Sequence, residues 1–203
     1  MELMIATLVF SVILMSITVG VMFFTKSYYR GVYLSATQDT ARNIAEQITQ
    51  SIQFTSSDPI FQVDGIGGGY ICTGNSQFVF NKGQKYDGQP ATTGMYVIPL
   101  TSNACNSDPS LSDPGSRKQL LGKNMRLADL SFSKSGNRYT VKITIAYGNN
   151  DLLCVSGDAA MCDTNSTPSD ANLMSHTIVC KPGSGSEYCA VSSLETVVEK
   201  RLQ

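Results

Sequence analysis

The chain has 203 residues, of which 42% are hydrophobic and 15% are charged, and its formal net charge is -1. This length fits one ordinary domain plus an appendage, because domains usually contain about 100 to 200 residues. The near-neutral charge excludes the strongly basic surface that holds nucleic acid, so we expect no general DNA- or RNA-binding role.

The first element in chain order is a long apolar segment. Residues 3–24, LMIATLVFSVILMSITVGVMFF, contain no charged residue. As a helix they would extend about 33 Å, which matches the hydrocarbon core of a bilayer. A cleavable signal peptide is the rival interpretation, but the segment is too long, no basic region precedes it and no small-x-small cleavage site follows it. The pattern therefore predicts a membrane-spanning helix within residues 1–25.

The helical pattern continues to residue 54, with apolar residues at helical spacing on one face and polar residues elsewhere. The apolar face contains Leu34, Ala41, Ile44, Ala45, Ile48 and Ile52, and the other faces contain Gln38, Asp39, Arg42, Asn43, Glu46 and Gln50. No proline precedes Pro59, so nothing forces a break. We predict one helix of about 50 residues and about 80 Å. Only its amphipathic half, residues 26–54, should pack on a head domain.

Residues 55–203 are rich in Gly, Ser, Asp, Asn and Pro, mixed with short alternating apolar segments. This composition is typical of strands and turns. The clearest signal is a hairpin, with strands at residues 127–133 and 138–147 separated by turn residues 134–137. Further strands are expected around Tyr70, Phe78 and Tyr96 and at residues 152–155 and 175–180. The tail from Ser192 could form a last strand or a short helix, and its β-branched residues at 196–198 favour the strand. The predicted fold class is α+β, a long helix packed on an antiparallel β-rich head.

Three turn-rich segments are predicted to be loops. Residues 102–116 and 156–172 have the composition of long surface loops. The glycines at positions 65, 67, 68 and 69 superficially resemble a phosphate loop, but the lysine and the hydroxyl residue that would follow them are missing. We expect a flexible loop there.

All six cysteines follow the apolar segment, and no Cys-x-x-Cys pair occurs, which disfavours zinc. They are Cys72, Cys105, Cys154, Cys162, Cys180 and Cys189. An even number placed there predicts disulfides formed outside the cytoplasm. Six cysteines allow 15 pairings. Proximity along the chain favours Cys72 with Cys105, Cys154 with Cys162, and Cys180 with Cys189, while crossed pairing of the last four stays open.

The charges beside the membrane segment conflict with an exported head. Lys26 and Arg30 directly follow the span, where the positive-inside rule would keep that side in the cytoplasm. A basic leader, present at insertion and later removed, would reconcile the orientation with the cysteines.

The opening segment ELMIATLVFSVILM, which starts at Glu2, resembles the N-terminal segment of type IV pilins and type II secretion pseudopilins. The likeness covers residues 2–24 in sequence and extends to about residue 53 in architecture, and the hairpin and the ending LETVVEKRL are similar to those of larger minor pilins. The family's acidic residue stands at the fifth place of the mature chain. We therefore expect the sequence to begin a few residues inside the mature protein, without its leader.

The resemblance implies a prepilin whose leader is removed, and whose new N-terminus is methylated, by a membrane peptidase. Subunits would be stored in the cytoplasmic membrane until an ATP-driven machine assembles them into an extracellular filament. The implied partners are identical or related pilin subunits, the inner-membrane assembly platform, the prepilin peptidase and a possible surface or host-cell ligand. No cofactor and no enzymatic activity are implied.

Glu2 is the leading candidate for a functional residue. An acidic side chain in a membrane segment is usually functional, although a glutamate in a first helical turn also complements the helix dipole. The resemblance implies that Glu2 docks on the N-terminal amine of an adjacent subunit. On the same helix, Thr7, Ser11 and Thr18 could bond between helices but more often bond the carbonyl one turn back, and Gly20 could allow close approach or local loosening.

Other candidate chemistry has simpler explanations. His176 is the only histidine, and no Ser or Cys nucleophile pattern surrounds it, so a strand position is expected. Calcium could be ligated in either of two loops, by Asp108 and Asp113 or by Asp158, Asp163 and Asp170, but aspartate before proline or glycine is ordinary turn chemistry.

Three functions fit these observations. The first is a structural subunit of a type IV pilus-like filament, either the major pilin or a minor one, and the long head loops favour a minor one. The second is a pseudopilin of a type II secretion or DNA-uptake machine. The third is a single-span adhesin that does not polymerise.

Overall fold

The computed structural model describes residues 2–55, 57–65, 67–88, 94–100, 105, 116–158, 160, 162–163, 166–183 and 185–201. Helix α1 (Glu2–Gln53) comes first, followed by antiparallel strands and the short helix α2 (Asp170–Met174). The strands are β1 (Ile60–Val63), β2 (Gly68–Cys72), β3 (Ser76–Asn81), β4 (Met95–Pro99), β5 (Lys118–Gln119), β6 (Met125–Ser135), β7 (Arg138–Tyr147), β8 (Leu153–Val155), β9 (Ile178–Cys180) and β10 (Ala190–Glu199). The predicted α+β fold with a long N-terminal helix is confirmed.

The strands form three antiparallel groups. One sheet has the order β1-β2-β3-β4-β5, a second has the order β10-β7-β6, and β8 pairs with β9. Single bridges from Lys82 to Leu127 and from Lys85 to Arg126 join the first two sheets. Helix α1 lies against β10 and β7, so its C-terminal half and the two larger sheets share one hydrophobic core.

The predicted hairpin is present, and its turn is tighter than expected. Strand β6 extends through Lys134 and Ser135, so that Ser135 pairs with Arg138 and only Gly136 and Asn137 connect the strands. Gly136 has φ of 62°, a conformation that glycine adopts without the steric cost of a Cβ. The register shifts between Leu127 and Asp129, which marks a bulge in β6.

Several local predictions are corrected. Gly68 and Gly69 are strand residues of β2 and not part of a flexible loop. Only glycine fits at position 69, because a Cβ there would clash with the backbone oxygen of Gln62 and lie 2.8 Å from Cζ of Phe80. The strand expected at residues 175–180 is limited to β9, and His176 precedes it in a bend, with Nδ1 2.7 Å from Oγ of Ser175.

The predicted loop 156–172 ends in helix α2, because Ser169 accepts a hydrogen bond from the backbone N–H of Asn172 and caps the helix. The prediction missed β1 and β5, which are too short to show alternation. The tail strand is confirmed by β10. The other predicted loop, residues 102–116, lies mostly outside the described residues.

The buried face of α1 agrees with the predicted one except at its N-terminal end. Five of the predicted apolar residues are buried: Ala41, Ile44, Ala45, Ile48 and Ile52. Leu34 is 38% exposed, whereas Thr37 is fully buried, with its hydroxyl donating to the carbonyl of Leu34. These two positions are about 60° apart around the helix axis, so Leu34 lies at the edge of the buried face. The predicted polar residues are exposed, as expected.

A charged cluster joins the chain after α1 to the hairpin and the tail. Oδ2 of Asp58 accepts from Nζ of Lys134 at 2.6 Å, and Oδ1 accepts from Nζ of Lys200 at 3.0 Å and from the Tyr139 hydroxyl at 3.3 Å. The hydrogen bond from Lys134, and then that from Lys200, lower the pKa of Asp58 to about 2. We call these four residues the Asp58 cluster.

Candidate functional site

The N-terminal half of α1 projects from the head with every side chain from Leu3 to Val32 exposed. Its apolar residues point in all directions around the helix axis, and the helix is long and apolar enough to cross a membrane. Exposed apolar area of this extent normally marks a surface that contacts lipid or another protein. We call residues 3–24 the projecting segment.

The hydroxyl groups of the projecting segment are satisfied within the helix. Thr7 donates to the carbonyl of Met4 at 3.0 Å, and Ser11 donates to the carbonyl of Thr7 at 2.8 Å. Thr18 donates to the carbonyl of Leu14 at 2.8 Å. Local bonding of these residues is therefore confirmed, and their hydroxyl protons need no partner outside the helix.

Two other candidate residues lie on the same segment. A Cβ on Gly20 would meet nothing within 4 Å, so the helix surface is open at this position. Glu2 begins α1, about 36 Å along the axis from Lys26, where the head first contacts the helix. The side chain of Glu2 lies outside the described part of the chain, and its docking role stays a prediction.

A group of tyrosines marks the level at which α1 enters the head. The rings of Tyr33 and Tyr147 are stacked with centroids 4.3 Å apart, and those of Tyr29 and Tyr188 are 5.7 Å apart. Burial, and then the hydrogen bond with Tyr147, raise the pKa of Tyr33. We call these four residues the tyrosine collar. Sequence reasoning missed it, although Tyr29 and Tyr33 lie one helical turn apart just after the apolar segment.

The structure joins the six cysteines in the pairs that chain proximity favours. Cys72 bonds Cys105, Cys154 bonds Cys162, and Cys180 bonds Cys189. The first bridge closes a loop with a sequence separation of 33 residues, whereas the others span 8 and 9. Crossed pairing of the last four cysteines is thus not adopted.

Arg126 is a fully buried cation that sequence reasoning also missed. Its Nη1 donates to the carbonyl of Gly83 at 2.9 Å, and its Nη2 donates to the carbonyl of Gly148 at 3.0 Å and to Oδ1 of Asn150 at 2.8 Å. Oδ1 of Asp170 lies 3.5 Å from Nη1. Burial lowers the pKa of Arg126, and Asp170 partly opposes this shift. One side chain therefore ties together the chain after β3, the chain after β7 and the start of α2.

Of the aspartates considered for calcium, the three that the structure describes are not brought together as a site. Asp170 accepts from Asn150 at 2.8 Å, and Asp158 accepts from the backbone N–H of Ala160 at 3.0 Å. Positions 108 and 113 lie outside the described residues. In the part of the chain that the structure covers, no group of three or more His, Cys, Asp or Glu residues is arranged to hold a metal ion.

Comparisons with known proteins do not assign the chain to a family. No protein-family model matches the sequence, and searches of curated proteins and of solved structures find no significant match.

Proposed function

We propose that this chain is a structural subunit of a type IV pilus-like filament, stored in a membrane and polymerised through the projecting segment. The observation that carries the proposal is the division of α1. One continuous helix has an apolar, fully exposed N-terminal half and a C-terminal half that is buried along one face in a disulfide-bonded head.

This division suits a protein that exchanges one apolar environment for another. In a bilayer the projecting segment would contact lipid, and its backbone would be satisfied by its own helical hydrogen bonds. In a filament the same surface would contact the projecting segments of neighbouring subunits, and the heads would form the outer wall. The proposed role is therefore structural, with the head as the part available to external ligands.

Glu2 provides the test of polymerisation. Packing between apolar helices is non-directional, whereas a carboxylate paired with a cation in a low-dielectric bundle can define the register between subunits. We expect Glu2→Ala and Glu2→Gln, each as the only copy in the cell, to lower the amount of subunit in sheared filaments. The amount in the membrane and the three disulfides should stay unchanged.

The glutamine variant is the stricter test because it keeps the shape of the side chain and removes only its charge. Glu195→Gln is the matched control, because Glu195 is an exposed strand residue of the head and its loss removes the same charge. Assembly of both Glu2 variants at the wild-type level would refute the docking role. Absence of the wild-type chain from every sheared filament, with a normal membrane pool, would refute the filament function itself.

A further inference from the structure

The head has a cavity beside the C-terminal end of the projecting segment. This cavity of about 300 Å³ separates α1 from the chain that leads into β10. Its lining comes from two successive turns of α1 and from the opposing chain: Phe23, Lys26, Ser27, Arg30, Gly183, Ser186 and Glu187. We call it the basal cavity.

The position of the basal cavity matches the depth of lipid headgroups. If residues 3–24 fill the hydrocarbon core, the Cα atoms of Lys26 and Arg30 lie about 3 and 9 Å beyond its edge along the helix axis. Because helical side chains tilt towards the N-terminus, the side chain of Arg30 is directed back towards the bilayer. The headgroup region of one leaflet is about 5 to 8 Å thick. Exposed aromatic rings of Phe24, Tyr28 and Tyr29 flank this level, as is typical of side chains at a membrane interface.

The charge of the basal cavity is suited to an anion. Two cations, Lys26 and Arg30, face one carboxylate, Glu187, which leaves one net positive charge. Glu187 is 3.8 Å from Nζ of Lys26, and that lysine side chain is 62% exposed, so the pair is loose. Arg30 is exposed and forms no ion pair with any residue that the structure describes. Its planar guanidinium can donate two parallel hydrogen bonds to one phosphate group.

We propose that the basal cavity binds the phosphate group of an anionic phospholipid in the leaflet beneath the head. Arg30 is the principal cation, Lys26 adds a second positive charge, and the hydroxyls of Ser27 and Ser186 can donate further hydrogen bonds. Phe23, which is 76% exposed, would contact the apolar part of the lipid. The lipid would hold the head at a defined height on the bilayer.

This proposal rests on the membrane-stored stage of the proposed function and does not require polymerisation. Its test uses isolated full-length chain in mild detergent. Native mass spectrometry would measure retention of dioleoylphosphatidylglycerol and, separately, of the zwitterionic dioleoylphosphatidylcholine. The variants are Arg30→Gln, Glu187→Gln and the matched control Arg42→Gln, which removes the same charge from an exposed position about 18 Å further along α1.

We expect selective retention of phosphatidylglycerol, weakened roughly fivefold by Arg30→Gln, the factor that corresponds to about 1 kcal/mol for one basic residue near anionic lipid. Glu187→Gln should strengthen retention because it removes the competing carboxylate, and Arg42→Gln should leave it unchanged. Inorganic phosphate should not displace the lipid at concentrations near that of the chain.

Four results would overturn the proposal: equal retention of both lipids, an equal loss with Arg42→Gln, full displacement by inorganic phosphate, or a chain dimer that excludes lipid. The third would show that the cavity binds free phosphate, and the fourth that a second copy occupies it. Because filaments are not measured, failure here leaves the filament function intact. Conversely, loss of filaments in the Glu2 variants leaves lipid retention unaffected.

Discussion

The two halves of α1 have the same backbone conformation and opposite environments. In the N-terminal half no apolar side chain is buried, whereas in the C-terminal half Ile44, Ile48 and Ile52 are fully buried against the sheets. The first half is a helix because its backbone groups bond one another and its side chains suit an apolar solvent. The second half gains its stability from one packed face.

A single continuous helix thus has one half packed along one face on its own chain and the other half exposed. One face of the second half packs into the hydrophobic core of the head, and three disulfides cross-link the head elsewhere. The first half is exposed, and in the proposed function lipid or other subunits would cover it. Substitutions in the two halves should therefore have separable effects, on folding of the head in one case and on association in the other.

The largest effect is expected for Ile48→Asp. This change loses the burial of a fully enclosed side chain and places an unpaired charge in the core, at a combined cost of about 5 kcal/mol or more. Such a loss approaches the total stability of many domains, so the head should not fold. Thermal unfolding of the full-length chain in detergent would measure it, and an unchanged melting curve would count against the packing of α1.

A matched pair of alanine variants tests whether the two halves of α1 are separable. Ile48→Ala should lower the free energy of unfolding of the head by about 2 to 5 kcal/mol, as large-to-small core changes do. Ile13→Ala makes the same chemical change in the projecting segment, where the side chain is 51% exposed, and should leave the unfolding of the head unchanged. Equal destabilisation by both variants would show that the two halves are not separable.

Arg126→Met tests how strongly the buried arginine holds together the segments of the head that it contacts. Methionine keeps much of the side-chain volume but removes the donors to Gly83, Gly148 and Asn150. Buried acceptors without partners cost about 1 to 3 kcal/mol each, so we expect a loss of about 3 kcal/mol. Urea unfolding would measure the loss, with Arg117→Met, at a position outside this network, as the control.

The disulfides should differ in their contribution according to loop length. Chain-entropy arguments give about 3.7 kcal/mol for a 33-residue separation and about 2.5 kcal/mol for 8 residues. Replacing Cys72 and Cys105 together by serine should therefore destabilise the head by about 1 kcal/mol more than replacing Cys154 and Cys162. Urea unfolding without reductant gives both values, and the reverse order would show that native packing, not loop closure, sets the ranking.

The smallest effect is expected from the Asp58 cluster. Its carboxylate has a folded pKa of about 2, below the unfolded value of about 3.9. The stabilisation is therefore fully present above the unfolded pKa and is lost as the pH falls from about 4 through about 2. Asp58→Asn should slightly lower the stability at pH 7 and flatten the stability profile in that acidic window. A wild-type profile in this variant would assign the acid sensitivity to other carboxyl groups.

The hairpin and α1 were predictable because their signals are local. Alternation along β6 and β7, and helical spacing of Ile44, Ile48 and Ile52, reflect which neighbours share one face of one element. The disulfide pairing was favoured by proximity for a related reason, since each bridge joins consecutive cysteines along the chain.

Other features could not be predicted from local sequence patterns and are seen only in the folded chain. Strand β1 has four residues, of which three are exposed, so it shows no alternation of burial. The tyrosine collar brings Tyr147 and Tyr188 to α1 from distant parts of the sequence. Nothing in the spacing of these residues indicates that they meet, because the sheets decide which strand ends face the helix.

The sequence by itself determined a helix with an apolar and an amphipathic half, a β-rich head and six cysteines placed to form disulfides. The tertiary structure alone decided that Thr37 is buried while Leu34 is half exposed, that Arg126 is enclosed among backbone carbonyls, and that Arg30 lines a cavity. The physical reason is that periodicity depends on neighbours within one element. In contrast, the tertiary packing of segments that are distant in sequence decides whether a cation is buried and whether space remains between two elements.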